Sequence, residues 1–336
     1  MATWRGAAAS KRLALAFWKF SRRSRTGKFG SLLGLHPEEL GGTTRMEFLG
    51  PKNSIVSTEI PAWTCENGKM RLEAAVALLD EISTYAGCCM WDQRCRPGFS
   101  IQLQGRALRP IDVGAGERIK VETRLQRVGR TIGFLDIVIS DEDGDPLISA
   151  SHLKFMHSGA IFDLAFRPPF QETTRKLWEY LVLDRQPEHE FTMPSTFEEV
   201  FKIKEEENNF GAEDEAPVEL AGLVSLDARH GNPVGSIHGG AATMLGAHAA
   251  ALAVRKRPEF LSGEAAGAPT MVRVNLLSGI ATHRPAEAHV RAQVVKDPPQ
   301  AALPGSLHAH TRILNEQGNL CIECETVHAA PRKDRQ

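Results

Sequence analysis

Hydrophobic and polar side chains alternate with a period of two along three segments in each half of the chain. The segments are residues 116–129, 131–140 and 146–156 in the first half and residues 287–295, 306–314 and 320–328 in the second. This period predicts β-strands that bury one face. Asp143-Gly144 predicts a tight hairpin turn, and Gly318 occupies the same place in the second half. The pattern therefore predicts two antiparallel meanders that repeat one order.

One helical segment precedes each meander. Leu72, Val76 and Leu79 belong to an apolar series at i, i+3, i+4 and i+7 spacing, which predicts a helix with one buried face. Residues 239–254 form a run of alanine and other small residues that suits close packing. The chain is therefore expected to be of the α+β class, with one long helix wrapped by a curved antiparallel sheet in each half.

Length and composition exclude several classes of protein. The 336 residues are 42% hydrophobic and 24% charged, which suits two globular domains. Lysine plus arginine number 40 against 41 acidic residues, and this balance argues against a nucleic-acid-binding protein. No apolar run is long enough for a membrane-spanning helix. Cys321 and Cys324 lack a second pair at metal-ligand spacing, so neither a metal site nor a cofactor is expected.

The first 40 residues differ in charge from the rest. No acidic residue precedes Glu38, and the basic residues of this segment are Arg5, Lys11, Arg12, Lys19, Arg22, Arg23, Arg25 and Lys28. A basic start with interspersed serine and aromatic residues is typical of an organelle targeting peptide, mitochondrial as the first choice and plastid as the second. The alternative is a basic arm that docks on a partner or on anionic lipid. In both cases residues 1–40 are expected to lie outside the fold.

The repeat sets the expected domain boundaries. One domain is expected at residues 45–158 and the other at residues 217–330. Residues 159–216 are expected to form a connector with a short helix at 172–183. Its acidic residues between 205 and 215 indicate a solvated surface, to which we assign no chemistry.

Candidate chemistry lies just before the second helix, in the segment that contains Asn232 and His238-Gly239-Gly240. Glycines at a helix start expose backbone N–H groups at the positive end of the helix dipole, which suits a carbonyl oxygen that gains negative charge. Asn232 offers a side-chain donor. The alternative is a glycine-rich loop that only begins a helix, with His238 as its cap.

This arrangement resembles the hot-dog fold thioesterases, in particular the PaaI-type acyl-CoA thioesterases. Their pattern is an Asn, then His-Gly-Gly six residues later, then an acidic residue nine after the His, and a Ser or Thr on the next strand. The resemblance covers residues 50–157 and 217–330. It implies a tandem double hot-dog, in which the two copies form an intrachain pseudo-dimer.

Neither copy carries the whole pattern, and the gaps are complementary. The first copy has the acid at Asp80 and the hydroxyl at Ser100, but residues 71–73 are Arg-Leu-Glu where the pattern has His-Gly-Gly. The second copy has His-Gly-Gly, but Ala247 replaces the acid and the hydroxyl position falls at about Met271. One composite site would therefore combine Asp80 and Ser100 with Asn232, His238, Gly239 and Gly240. The opposite site, which pairs residues 71–73 with Ala247 and Met271, is expected to be inactive.

The resemblance also implies roles for these residues. The thioester carbonyl would lie against the Gly239 N–H and the Asn232 amide, with His238 as a positioning residue. Asp80 would act as general base or nucleophile, and Ser100 would orient the water. Arg127 and Arg130, in the turn between two strands, would contact the phosphates of coenzyme A; a solvated turn is the alternative.

We therefore expect a thioester hydrolase acting on acyl-CoA in an organelle. The competing hypothesis is a catalytically inactive hot-dog protein that serves as a structural subunit of a large mitochondrial complex. A hydratase of the same fold is the third. Further pairing of chains into a homo-oligomer is compatible with each hypothesis.

Overall fold

The chain folds around two enclosed helices and one long sheet. The computed structural model describes residues 7–24, 27–50, 52–92, 96–156, 159, 170–180, 192–206, 220–256, 268–296 and 306–328. The helices are α1 (Ala7–Arg23), α2 (Phe29–Leu32), α3 (Leu72–Ile82), α4 (Gln171–Trp178), α5 (Phe197–Val200) and α6 (Gly239–Arg255). A π-helical segment, Ser83–Cys89, continues α3.

The strands of the first half are β1 (Arg45–Gly50), β2 (Asn53–Glu59), β3 (Cys65–Glu66), β4 (Lys69–Met70), β5 (Phe99–Ala107), β6 (Arg118–Val128), β7 (Ile132–Ser140) and β8 (Pro146–Phe155). Those of the second half are β9 (Ile203–Glu205), β10 (Leu220–Leu226), β11 (Pro269–Leu276), β12 (Ala286–Lys296), β13 (Leu307–Leu314) and β14 (Leu320–His328). The predicted meanders are thus present as β6–β8 and β12–β14.

A single antiparallel sheet of 12 strands runs through both halves in the order β1-β2-β6-β7-β8-β5-β11-β14-β13-β12-β10-β9. Counted inward from one edge, the first half runs β1-β2-β6-β7-β8-β5. Counted inward from the other edge, the second half runs β9-β10-β12-β13-β14-β11, so both halves arrange their strands in the same order. The halves join where β5 pairs with β11, for example at Leu103 and Val274. Burial alternates along the strands, as in β7, so one face of the sheet covers the helices.

The core lies between this face of the sheet and the helices α3 and α6. Every residue of α3 is buried, and so are nearly all residues of α6. Close approach of the two helices requires glycine at Gly240, because a Cβ there would lie 3.0 Å from the Ala77 Cα. The small residues that the sequence places along α6 therefore let the two helices meet.

The N-terminal arm, which we define as residues 7–24 and 27–40, packs on the core and does not lie outside the fold. Leu13, Trp18 and Phe29 are all fully buried. Trp18 stacks on Tyr85 with ring centroids 5.4 Å apart. The apolar residues between the basic ones form one side of an amphipathic helix, and this side contacts the first half. The expectation that residues 1–40 lie outside the fold is therefore wrong for the residues of the arm.

Part of the expected connector repeats the arm. Phe29 begins α2 and Phe197 begins α5, and both rings are buried. The Trp63 Nε1–H donates to the Leu32 carbonyl over 2.8 Å, and the His230 Nε2–H donates to the Val200 carbonyl over 2.7 Å. The repeated unit therefore begins before each expected domain start. The expected helix at 172–183 is observed as α4, and residues 181–191 lie outside the described residues.

No helix in the described part of the chain is long and apolar enough to cross a membrane.

Candidate active site

The candidate site lies where the last turn of α3 meets the start of α6. Asp80 on α3 accepts a hydrogen bond from the Gly240 N–H over 2.8 Å at Oδ2, and one from the Ser100 hydroxyl over 2.7 Å at Oδ1. A Cβ on Gly239 would lie 2.6 Å from Asp80 Oδ2 and 3.0 Å from Ser100 Cβ. The structure thus brings together Asp80 and Ser100 of the first half with Gly239 and Gly240 of the second.

His238 connects this site to a second carboxylate. Its Nδ1 lies 3.1 Å from Asp80 Oδ2, and its Nε2 lies 2.8 Å from Glu81 Oε2. Burial alone would lower the pKa of His238, but the two carboxylates outweigh burial and raise it above its ordinary value. The Gly240 N–H also donates to His238 Nδ1 over 3.0 Å, so the His238 side chain caps α6, and its Nε2–H donates to Glu81.

His152, on β8, is a site residue that the sequence analysis missed. Its Nε2 lies 2.9 Å from the Ser100 Oγ, and its Nδ1 lies 2.6 Å from the Ser83 Oγ. Burial, followed by the charge of Lys154, lowers the pKa of His152 to about 3, so the ring is neutral at pH 7. Ser100 gives its only hydroxyl proton to Asp80, and therefore His152 must donate from Nε2 and accept at Nδ1.

Lys154 is a further buried ionisable side chain that acts on Asp80. Its side chain is buried, and Nζ donates to the Thr84 Oγ1 over 2.6 Å. Asp80 and Glu81 thus lie in the interior together with the side chains of Lys154 and His238. Burial alone would raise the pKa of Asp80, but His238, His152 and Lys154 together lower it to about 2. Asp80 is therefore a carboxylate throughout the neutral range.

Helix geometry leaves one donor available beside Asp80. The Gly239 N–H has no acceptor within the described part of the chain, as expected for the first residue of a helix. Asn232 uses its side chain within its own loop, where Oδ1 accepts from the N–H groups of Val234 and Ser236. Its Nδ2 donates weakly to the Ile237 carbonyl over 3.4 Å. In this structure Asn232 therefore shapes the loop that delivers His238.

The opposite cleft contains different side chains. Arg71 precedes α3 as His238 precedes α6, but its side chain makes no capping hydrogen bond and pairs with the buried Glu73. The Arg71 guanidinium lies 4.1 Å from the centre of the Phe197 ring, and the His248 ring lies 4.8 Å from the same ring, measured between centroids. Ala247 is fully buried. This cleft lacks the carboxylate that Asp80 provides on α3.

The pairing of the strands shows that the residue of the opposite cleft that corresponds to Ser100 is not Met271. Ser100 pairs with Lys154, and Pro269 pairs with His328. Lys154 and His328 lie equally far beyond their turn glycines, so Pro269 and not Met271 corresponds to Ser100. The sequence estimate missed by two residues, and both strands carry an irregularity just after this position. Proline also has no hydroxyl.

The two arginines expected to contact coenzyme A lie at an exposed turn. Arg127 and Arg130 flank the connection between β6 and β7. The buried Arg96 donates to the carbonyl oxygens of Gly129, Arg130 and Met156, and it pairs with Asp92. Since Met156 directly follows β8, this turn is fixed at the end of the strand that carries His152.

A signal for the missed residues was present in the sequence. His152 and Lys154 fall on the same phase of β8 as Ile148 and Ala150, which faces the core. Titratable side chains at buried positions of a strand indicate partners in the interior. Glu81 carried a weaker signal, because an acidic residue next to Asp80 on a helix is usually solvated.

No protein-family model and no curated protein sequence matches the chain. Solved structures do resemble it. A protein of Lactobacillus plantarum assigned as an oleoyl thioesterase has a TM-score of 0.53 at 11% identity, over 85% of this chain and 99% of that one. An acyl-CoA thioesterase II of Mycobacterium marinum has a TM-score of 0.50 at 12% identity, over 86% and 97%. The tesB protein of Mycobacterium avium subs paratuberculosis has a TM-score of 0.50 at 13% identity, over 85% and 96%.

Identities this low indicate shared fold alone. The chain therefore has the hot-dog-like fold of these thioesterases, as the sequence predicted for its fold class in general terms.

Proposed function

We propose that this protein hydrolyses an acyl thioester, with acyl-CoA as the substrate class, at one composite site between its two halves. In this proposal the halves are tandem hot-dog copies of the PaaI type that form a pseudo-dimer within one chain. The observation that carries the proposal is the contact between Asp80 Oδ2 and the Gly240 N–H over 2.8 Å, beside Ser100. It joins the acid of one half to the helix start of the other.

The carbonyl oxygen of the thioester binds at the start of α6. The Gly239 N–H supplies the hydrogen bond, and the positive end of the helix dipole stabilises the negative charge that develops on this oxygen. Gly239 has no side chain, which lets Asp80 and Ser100 come close to the start of α6. One such donor contributes about 2.7–4 kcal/mol to the transition state.

Asp80 supplies the attacking group, either by taking a proton from water or by direct attack on the carbonyl carbon. Both routes need the carboxylate form, which the low pKa of Asp80 maintains. The Ser100 hydroxyl lies 2.7 Å from Oδ1 and orients the water or the carboxylate. His152 holds Ser100 through Nε2.

The balance of the reaction is simple. The carbon–sulfur bond breaks, water supplies the hydroxyl of the product acid, and the sulfur leaves as a thiolate that takes up the proton which Asp80 removed from the water. On the direct route, water cleaves the acyl anhydride formed on Asp80 and its proton goes to the thiolate. A free thiol has a pKa of roughly 8.5, so the leaving thiolate requires no strong acid from the protein. The products are a carboxylic acid and free coenzyme A.

Recognition of the nucleotide part is assigned to Arg127 and Arg130. Guanidinium groups bind phosphate through paired hydrogen bonds, and the turn that carries them is held by Arg96. An Arg130→Ala variant is expected to raise KM for an acyl-CoA several-fold and to leave KM for the matching acyl-pantetheine unchanged. Equal changes for both substrates would remove the phosphate contact from the proposal.

Release of free thiol from a panel of acyl-CoA substrates tests the central claim. The wild-type protein should release thiol from at least one chain length, and Ser100→Ala should reduce the rate while the protein stays folded. Absence of turnover across the panel, together with recovery of the chain in a stoichiometric large assembly, would favour the structural-subunit hypothesis instead.

A further inference from the structure

A second carboxylate stands behind the candidate catalytic one. Glu81 follows Asp80 on α3 and is 2% exposed. Its Oε2 lies 2.8 Å from His238 Nε2, whereas Asp80 Oδ2 lies 3.1 Å from His238 Nδ1. The imidazole of the second half thus bonds Glu81 of the first half at Nε2, and at Nδ1 it accepts from the Gly240 N–H over 3.0 Å, close to Asp80.

The N-terminal arm holds Glu81 from the opposite side. The Ser21 hydroxyl donates to Glu81 Oε1 over 3.2 Å. Gly30 approaches so closely that a Cβ there would lie 2.4 Å from Oε1 and 2.8 Å from Cδ. Phe29 places its ring 5.2 Å from the His238 ring, measured between centroids. The arm therefore fixes the carboxylate and covers the imidazole.

The arm also contacts the loop of the second half that leads to His238. The Lys28 N–H donates to the Ala228 carbonyl over 2.8 Å, and the Phe29 N–H donates to the Gly231 carbonyl over 3.3 Å. A Cβ on Gly27 would overlap the backbone of Asn232. Packing of the arm therefore constrains both sides of the contact between Glu81 and His238.

We propose that Glu81 is a positioning residue for His238 and that the N-terminal arm, through Ser21 and Gly30, keeps Glu81 in place. The arm is then a working part of the catalytic site. This inference rests on the proposed thioesterase function, in which we take His238 to position Asp80 and the Gly240 N–H. Glu81 reaches the reacting atoms only through His238.

The charge on His238 is what Glu81 controls. The groups that face this ring are Asp80 and Glu81 from α3 and His152 and Lys154 from β8, with Ser21 and Phe29 of the arm behind them. Lys154 and burial oppose the imidazolium, and the two carboxylates favour it. Without Glu81, Nε2 loses its acceptor, and nothing then fixes the ring tautomer in which Nδ1 accepts from the Gly240 N–H.

Titration of the histidine ring by NMR tests the inference without any substrate. The probe is histidine-labelled full-length protein, with the His238 signal assigned from its loss in His238→Gln. We expect Glu81→Gln to lower the pKa of His238 by at least about one unit, the size of effect that a nearby opposite charge has. Gly30→Ala, which displaces the carboxylate by contact, should lower it in the same direction, and so should Ser21→Ala to a smaller extent.

Ser31→Ala is the matched control for the arm variants. Ser31 lies in the same short helix as Gly30, and its substitution should leave the His238 pKa unchanged. An unchanged pKa in Glu81→Gln and Gly30→Ala would overturn the inference. The two arm variants keep the test available if Glu81→Gln does not fold.

Kinetics give the second measurement. In Glu81→Gln and Gly30→Ala, the alkaline limb of the pH profile of kcat should move to lower pH, and Glu81→Asp should recover part of the shift. A uniform loss of rate at every pH would indicate a merely structural role and would overturn the inference. If no acyl thioester is hydrolysed but the His238 pKa falls, the proposed function fails while the assignment of Glu81 stands.

Discussion

Asp80 and Gly240 belong to different halves of the chain, yet the Gly240 N–H donates to Asp80 Oδ2 over 2.8 Å. Replacement of this aspartate by asparagine keeps the shape of the side chain and removes its charge. We expect Asp80→Asn to lower kcat by about 10²–10⁴-fold, because a positioned general base contributes that much. Thiol release measures the change, and Asp136→Asn, at an exposed position of β7, is the matched control. Equal rates for the two variants would contradict the assignment.

A methyl group on Gly239 should block the carbonyl site. Its Cβ would lie 2.6 Å from Asp80 Oδ2 and 3.0 Å from Ser100 Cβ, so the methyl group would push both side chains away from the start of α6. We expect Gly239→Ala to lower kcat by about 10²–10³-fold, as does the loss of one oxyanion donor. Circular dichroism and thermal unfolding establish that the variant is folded. Full activity of the folded Gly239→Ala variant would place the carbonyl elsewhere.

One molecule of a substrate analogue should bind per chain. The opposite cleft carries Arg71, Glu73 and Phe197 where the candidate site has a glycine-lined helix start. Calorimetric titration with a non-hydrolysable acyl-CoA thioether should give a stoichiometry of one. A stoichiometry of two would show that the opposite cleft also binds, against the composite single-site proposal.

Stability should decline on mild acidification because of His152. The pKa of this ring is lowered to about 3 in the folded protein, chiefly by burial, whereas an unfolded histidine has a pKa of roughly 6.5. Below roughly pH 6.5 the unfolded state therefore binds a proton that the folded state does not, and the stabilisation is lost as pH falls towards 3. His238, whose pKa is raised, acts in the opposite direction.

Urea unfolding at pH 7 and pH 5 measures this effect. The difference in unfolding free energy between the two pH values should be smaller in His152→Asn than in the wild type. An identical difference in both proteins would show that His152 is not buried as a neutral ring.

A chain that begins at Gly41 should be much less stable than one that begins at Ala7. Leu13, Trp18, Phe29 and Leu32 are buried, and full burial of one large apolar side chain contributes about 1.5–3 kcal/mol. The shift in unfolding midpoint between the two chains measures the loss of stability.

Mitochondrial localisation, which we retain as a proposal, has its own test. Mass spectrometry of the protein isolated from the organelle locates any cleavage of the N-terminal segment. A native form that begins near Gly41 would contradict the role of the arm.

The sequence predicted the elements that depend on local periodicity. The strands β6–β8 and β12–β14 and the two central helices follow from alternation and helical spacing. Pairing Asp80 with Gly239 needed the resemblance to a family, since the two residues lie far apart in sequence. His-Gly-Gly is missing at Arg71 and the acidic residue is missing at Ala247. The acid of the first half was therefore predicted to share a site with the helix start of the second half.

Other contacts could not be predicted in this way. His152 and Lys154 acquire their roles from the face of β8 that the sheet turns inward, and strand phase alone does not identify their partners. The expectation that the arm lies outside the fold was wrong because an amphipathic helix with basic residues on one side can pack on a core and is also typical of a targeting peptide. The side chain of Asn232 forms its hydrogen bonds within its own loop, and the spacing between Asn232 and His238 does not predict these bonds.

Pairing of β5 with β11 joins two halves that one gene must encode together, because they belong to a single chain. In an assembly of two identical chains, any substitution would alter both clefts at once. Here the residues around His238 and those around Arg71 can change independently, so one cleft is free to diverge while the other keeps its chemistry.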